Sequence, residues 1–180
     1  GGGEDGERSL SGAGLGLWIA RSAVEAHGGV ARLTSATHRT GTDRIAELAP
    51  SLACDIIVNV QGDLPLIEPA MIEEVVAPLA ADPALVMSTV RTRITDADEV
   101  HNPNVVKVVV DRAGDALYFS RSPIPFIRGA ATPAWKHIGL YAYRRTFVPV
   151  VAGLPSTPLE AAESLEQLRV LEHGYRIRTV

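Results

Sequence analysis

Asp63 is the residue best placed to do chemistry. It follows an apolar, β-branched run, Asp55-Ile56-Ile57-Val58-Asn59-Val60, from which it is separated by Gln61 and Gly62. Such a run reads as a strand covered on both faces of a parallel sheet. In open α/β sheets ligands collect beyond the carboxyl ends of the strands. A carboxylate there suits Mg²⁺, which takes hard oxygen ligands and often only one or two protein carboxylates beside phosphate. An aspartate capping the helix that begins near Pro69 fits the same position equally well.

A second group lies further on. His137, Gly139, Tyr141 and Tyr143 share one face of a predicted strand, because side chains alternate with period two. Ile138, Leu140 and Ala142 take the other face and read as core. The polar face presents an imidazole and phenols around the gap left by Gly139, where a ligand could approach. A partly buried histidine hydrogen-bonded inside a tyrosine-lined sheet is the plainer alternative. Glu163, Glu166 and Arg169 are three apart on a predicted helix and could simply be a solvated ion-pair face. Arg121 and Arg128 could serve anions or simply be solvated.

These residues need elements to hold them. The first fourteen residues, GGGEDGERSLSGAG, are polar and Gly-rich and read as a tail. The rest, 15–180, reads as one domain. A helix is expected from Leu15 to the Gly28-Gly29 stop, then a short strand at Val30–Leu33. A short helix follows from Gly41-Thr42-Asp43-Arg44, with Thr42 as its cap. Pro69 opens a helix carrying Ile72, Val75, Val76 and Leu79, and Pro78 would kink or end it. Strands are predicted over 85–91, 105–110, 116–120 and 137–143. The second and third flank the turn-prone Asp111–Asp115 as a hairpin. Pro158–His173 reads as one helix closed by Gly174, and the chain stops within a further strand. Strands alternating with helices indicate a layered α/β fold.

Composition narrows the function. The hydrophobic share of 46% is that of a globular chain rather than a disordered one. Net charge is −4 with scattered Lys and Arg, which argues against a nucleic-acid groove. No apolar run approaches the roughly 18 residues of a membrane span. The single Cys54 excludes an internal disulfide and a Cys-based zinc site, so a cytoplasmic setting is expected.

Taken in order, HRTGTDRIAE, DIIVNVQGDLPLIEPAMI, NPNVVKVVVDRAGDALYFSRSPIPFIR, HIGLYAYRRTF and PLEAAESLEQLRVLEHGYRI cover roughly residues 34–180. They resemble the 3-deoxy-manno-octulosonate (Kdo) cytidylyltransferases. The resemblance implies a Rossmann-like nucleotidyltransferase sheet with flanking helices, truncated at both ends. It implies transfer of CMP from CTP to the sugar acid for lipopolysaccharide synthesis, with Mg²⁺ as cofactor and a homodimer as the assembly. Asp63 matches the family's metal-binding aspartate and Gln61 a glutamine facing the sugar. His137, Tyr141, Glu166 and Gln167 match sugar-acid contacts, and Gly41, Thr42 and Arg44 a nucleotide-side loop. The family's first strand with its basic phosphate-gripping loop, and a second metal aspartate, are expected to lie outside this chain.

The N-terminal GAGLGLWIARSAVEAHGG resembles instead the second glycine box of a histidine-kinase ATPase, with Gly12, Gly14 and Gly16 beside the nucleotide. A join between about Ala23 and Thr34 accounts for both likenesses. A histidine-kinase remnant and a non-catalytic dimerising fragment are thus the alternatives.

Overall fold

The alternation around His137 becomes the longest strand of a six-stranded sheet. The structure is a computed structural model, and it describes residues 21–38, 40–62, 64, 66–130 and 132–180. The chain divides into two units, Gly1–Thr37 and His38–Val180. In the first, residues 21–26 are helical (α1). The turn closes through the Gly28 and Gly29 amides, on Glu25 O and Val24 O, both at 3.0 Å. Gly28 has φ +78°, the left-handed conformation that makes glycine an efficient helix stop. The strand expected at 30–33 does not form; those residues have no regular structure.

The second unit runs α2 Gly41–Leu48, β1 Ile56–Asn59, α3 Pro69–Ala81, β2 Met87–Arg93, α4 Ala97–His101, β3 Lys107–Val110, β4 Ala116–Ser120, β5 Trp135–Arg144, α5 Val148–Gly153, α6 Pro158–Glu163, α7 Glu166–Glu172 and β6 Ile177–Thr179. The sheet order is β4-β3-β5-β2-β6, with β1 also paired to β5. The expected hairpin is present as β3–β4. Asp111 Oδ1 accepts the amides of Ala113 and Asp115 at its turn.

Both faces of β1 are covered, as its apolar run implies. Ile57 belongs to the core under α5–α7, and Ile56 and Val58 pack with Val75 and Leu79 of α3. Val75 and Leu79 are fully buried, each worth roughly 1.5–3 kcal/mol. The strand direction differs from expectation: β1 lies antiparallel to β5. Apolarity records cover on two faces, whereas direction is set by the chain path, so the run could not report it. Among the described residues, only β2 and β6 pair in parallel.

Three local expectations are corrected. The cap of α2 is Thr40, not Thr42. Thr40 is extended and its Oγ1 accepts the Asp43 amide, while Asp43 Oδ2 accepts the Thr40 amide, a reciprocal capping box. Of the two outcomes expected at Pro78 the helix end does not occur: α3 runs on to Ala81, where the Asp82 amide bonds Pro78 O. The predicted helix over 158–173 is two helices, broken at Ser164 in the left-handed region (φ 53°, ψ 49°). Among the described residues no helix is long and apolar enough to cross a membrane.

Candidate functional site

The site arises from a split along one edge of β5. β1 pairs with its second half, from Asn59↔Tyr141 to Ile56↔Arg144. β3 pairs with its start, Lys107↔Lys136 and Val108↔Trp135. Both run antiparallel to β5, so the carboxyl end of β1 faces the amino end of β3 across residues 137–140. Divergence of this kind is what opens crevices in α/β sheets. A hollow of about 500 Å³ lies there, with Gln61 and Leu64 from the β1 side, Asn104 to Val106 and Arg121 from the hairpin side, His137 to Gly139 and Tyr141 on the floor, and Gln167 from α7. A Cβ built on Gly139 would stand 3.8 Å from Gln61 Cγ. The missing side chain therefore leaves room between β5 and Gln61.

His137 packs edge-on to Phe119 at 5.0 Å and beside Tyr141 at 5.4 Å. Burial pushes its imidazole down to about 3, so it is neutral. Its Nε2 lies 2.9 Å from Thr89 Oγ1. Burial holds the Tyr141 phenol well above its ordinary value, helped by the Glu166 charge. The Tyr141 hydroxyl donates to Gln167 Oε1 at 3.3 Å. Gln167 Nε2 is buried without an acceptor among the described residues, a costly state for an amide donor.

Helix α7 reaches the hollow because of the break before it. The Glu163 carboxylate accepts the Ser120 hydroxyl at 2.6 Å and the Arg121 amide at 2.9 Å. Arg121 Nε donates to Glu163 O, and its Nη1 to Pro103 O. These bonds hold the end of α6 against β4, and Ser164 turns the chain so that α7 starts afresh. Burial alone would raise the Glu163 carboxyl, but its hydrogen bonds and Arg121 leave it lowered.

The structure thus brings Gln61, His137, Tyr141 and Gln167 together. Gly41, Thr42 and Arg44 do not line this hollow. Thr42 is buried and donates to Glu166 Oε2 at 2.8 Å, which joins the start of α2 to α7. Asp63 lies outside the described residues. Two residues of the site carried no argument in the sequence. Lys107 is fully buried, and its ammonium donates to the carbonyls of Asn102, Val105 and Arg121, which ties the two sides of the hairpin wall together. A lysine amid five valines was a visible signal of this. Thr89 offered none, since threonine is ordinary in strands.

The geometry is that of a pocket for a polar, oxygen-rich molecule, and comparison with known proteins gives it a family. A family model described as cytidylyltransferase matches residues 19–177. The match takes in most of the helix whose N-terminal glycines suggested a histidine kinase, and that alternative is not favoured. The 3-deoxy-manno-octulosonate cytidylyltransferase of Geobacter metallireducens is 56% identical over 171 residues, covering 88% of this chain and 67% of the relative. That of Solibacter usitatus is 54% identical over 161 residues, covering 88% and 64%. A solved structure of a CMP:2-keto-3-deoxy-manno-octonic acid synthetase complexed with CTP superposes with a TM-score of 0.84 at 45% identity, over 90% of this chain and 67% of that one. The chain spans about two thirds of the length of these relatives. On this identity and superposition, the chain belongs to the cytidylyltransferase family, among its 3-deoxy-manno-octulosonate cytidylyltransferases.

Proposed function

We propose that the chain transfers CMP from CTP to 3-deoxy-manno-octulosonate, releasing pyrophosphate, as a step of lipopolysaccharide precursor synthesis. The observation that carries this reading is Gln167 Nε2, a buried donor without an acceptor among the described residues, on the wall that also holds His137 and Tyr141. A sugar acid is rich in the oxygen acceptors such a donor needs. A neutral imidazole beside it can share a sugar hydroxyl without bringing a charge that must be desolvated.

In the reaction, the anomeric hydroxyl of the sugar acid forms a bond to the α-phosphorus of CTP, and the bond from that phosphorus to the β-bridging oxygen breaks. The hydroxyl proton leaves to solvent or a phosphate oxygen. Gln61, His137, Tyr141 and Gln167 hold the sugar in line. Gly41, Thr42 and Arg44 are proposed for the nucleotide side, with Glu166 bonded to Thr42 linking the two. Catalysis of this kind works by positioning and charge stabilisation rather than by a protein nucleophile.

Mg²⁺ is the proposed cofactor. Among the described residues no three His, Cys, Asp or Glu side chains cluster as a metal-holding group. Mg²⁺ commonly takes one or two carboxylates and completes its shell with phosphate oxygens and water, and Asp63 is the carboxylate proposed. When bound it would neutralise phosphate charge.

A homodimer in the cytoplasm is proposed as the working form, consistent with the exposed apolar Leu117 and Phe126 on and after β4.

The test is ³¹P NMR of the chain with CTP, the sugar acid and Mg²⁺. Formation of CMP-sugar acid and pyrophosphate, abolished in Asp63→Ala, is expected. No product, together with no heat of sugar-acid binding, would overturn the assignment.

A further inference from the structure

We infer that Thr89 is a positioning residue that locks His137 in the tautomer protonated at Nε2, so that Nδ1 offers the hollow a lone pair that accepts a hydroxyl of the ligand. Thr89 is fully buried in β2. It sits at the irregularity where the register with β5 shifts between Thr89 and Val90. The two extra β5 residues at this point, Gly139 and Leu140, bring two carbonyls onto one hydroxyl. Thr89 Oγ1 lies 2.8 Å from Leu140 O, 3.3 Å from Ile138 O and 2.9 Å from His137 Nε2.

A hydroxyl has one proton, and a carbonyl can only accept. The Thr89 proton therefore goes to Leu140 O, shared toward Ile138 O. Its oxygen is left to accept, and the remaining neighbour, Nε2, must be the donor. A threonine proton directed at the ring would instead set two oxygens 2.8 Å apart with lone pairs facing. In neutral histidine the second nitrogen is then an acceptor. Nδ1 has no partner among the described residues, and His137 lines the hollow.

This deepens the proposed function and rests on it only for the identity of the ligand. The floor of the pocket demands a donor at this point: a hydroxyl fits, whereas a carboxylate or an ether oxygen would face a lone pair. Thr89 thereby sets specificity without touching the ligand.

Long-range ¹H–¹⁵N spectra of the histidine rings in the ligand-free chain at pH 7 read the tautomer directly and need no variant. His137 protonated at Nε2 and bare at Nδ1 is expected; protonation at Nδ1, or at both nitrogens, overturns the inference. Thr89→Val should weaken sugar-acid binding about tenfold while CTP affinity stays within twofold, and Thr89→Ser should restore it. Unchanged sugar-acid affinity in Thr89→Val would also overturn it. If the wild-type chain shows the Nε2-protonated ring but binds no sugar acid, the assigned function falls and the Thr89–His137 relationship stands.

Discussion

Thr42 and Glu166 are joined across 124 residues of chain by one hydrogen bond, Oγ1 to Oε2 at 2.8 Å. Thr42 is the second residue of α2 and Glu166 the first of α7. The bond couples the segment proposed for the nucleotide to the helix proposed for the sugar acid. It also fixes where α7 begins relative to the sheet.

A hydrogen bond from a buried hydroxyl to a carboxylate is worth about 1.5–3 kcal/mol. A double-mutant cycle of Thr42→Val and Glu166→Ala in urea unfolding should therefore show coupling of about 1–2 kcal/mol. Additive effects of the two substitutions would mean the bond contributes nothing to holding α7.

Gln167 separates function from stability. In Gln167→Met the Tyr141 hydroxyl loses its acceptor, but an unpaired buried donor disappears as well. The two effects oppose, so thermal stability should stay within about 1 kcal/mol of wild type. Sugar-acid binding, followed by calorimetry, should fall at least tenfold. A large stability loss with binding intact would place the Gln167 amide outside ligand recognition.

His137 gives the fold an acid sensitivity. Burial lowers its folded value from 6.5 to about 3, so the unfolded chain takes up the proton first. The associated stability is complete above pH 6.5 and is lost as pH falls toward 3. Between pH 6.5 and 5, above the range in which Glu160 and Glu163 protonate, the loss should be roughly 1–2 kcal/mol. Chemical unfolding of His137→Phe across the same window should be flat by comparison. Equal pH slopes in the two proteins would show that the ring is not held neutral.

Ser164 carries the strain of the break between α6 and α7. A left-handed residue with a side chain costs roughly 1 kcal/mol that glycine avoids, although glycine returns part of that as unfolded-state entropy. Ser164→Gly should raise the unfolding midpoint slightly and leave ligand binding unchanged. A lowered midpoint would show that the Ser164 side chain makes a contact worth more than its strain.

Much of this molecule was legible in one dimension. The apolar run at 55–60, the helix opening at Pro69, the Asp111–Asp115 turn and the two-faced strand through His137 all appear where periodicity and turn chemistry put them. So does the grouping of His137 and Tyr141, because alternation along a strand is a local property. Ordered motifs along most of the chain identified its family, and with it Gln61 and Gln167, which the structure seats in the same hollow.

Other features depended on partners far away in the chain. The antiparallel direction of β1, the break at Ser164 drawn by Glu163 onto β4 and the Thr89–His137 contact each join residues dozens of positions apart. Hydrophobic pattern records how much of a residue is covered, not what covers it. A hydrogen bond between remote groups leaves no trace in composition or spacing. The residues proposed to bind a sugar acid were therefore written in the sequence, while their convergence on one crevice was decided only when β1 and β3 met β5 from opposite ends.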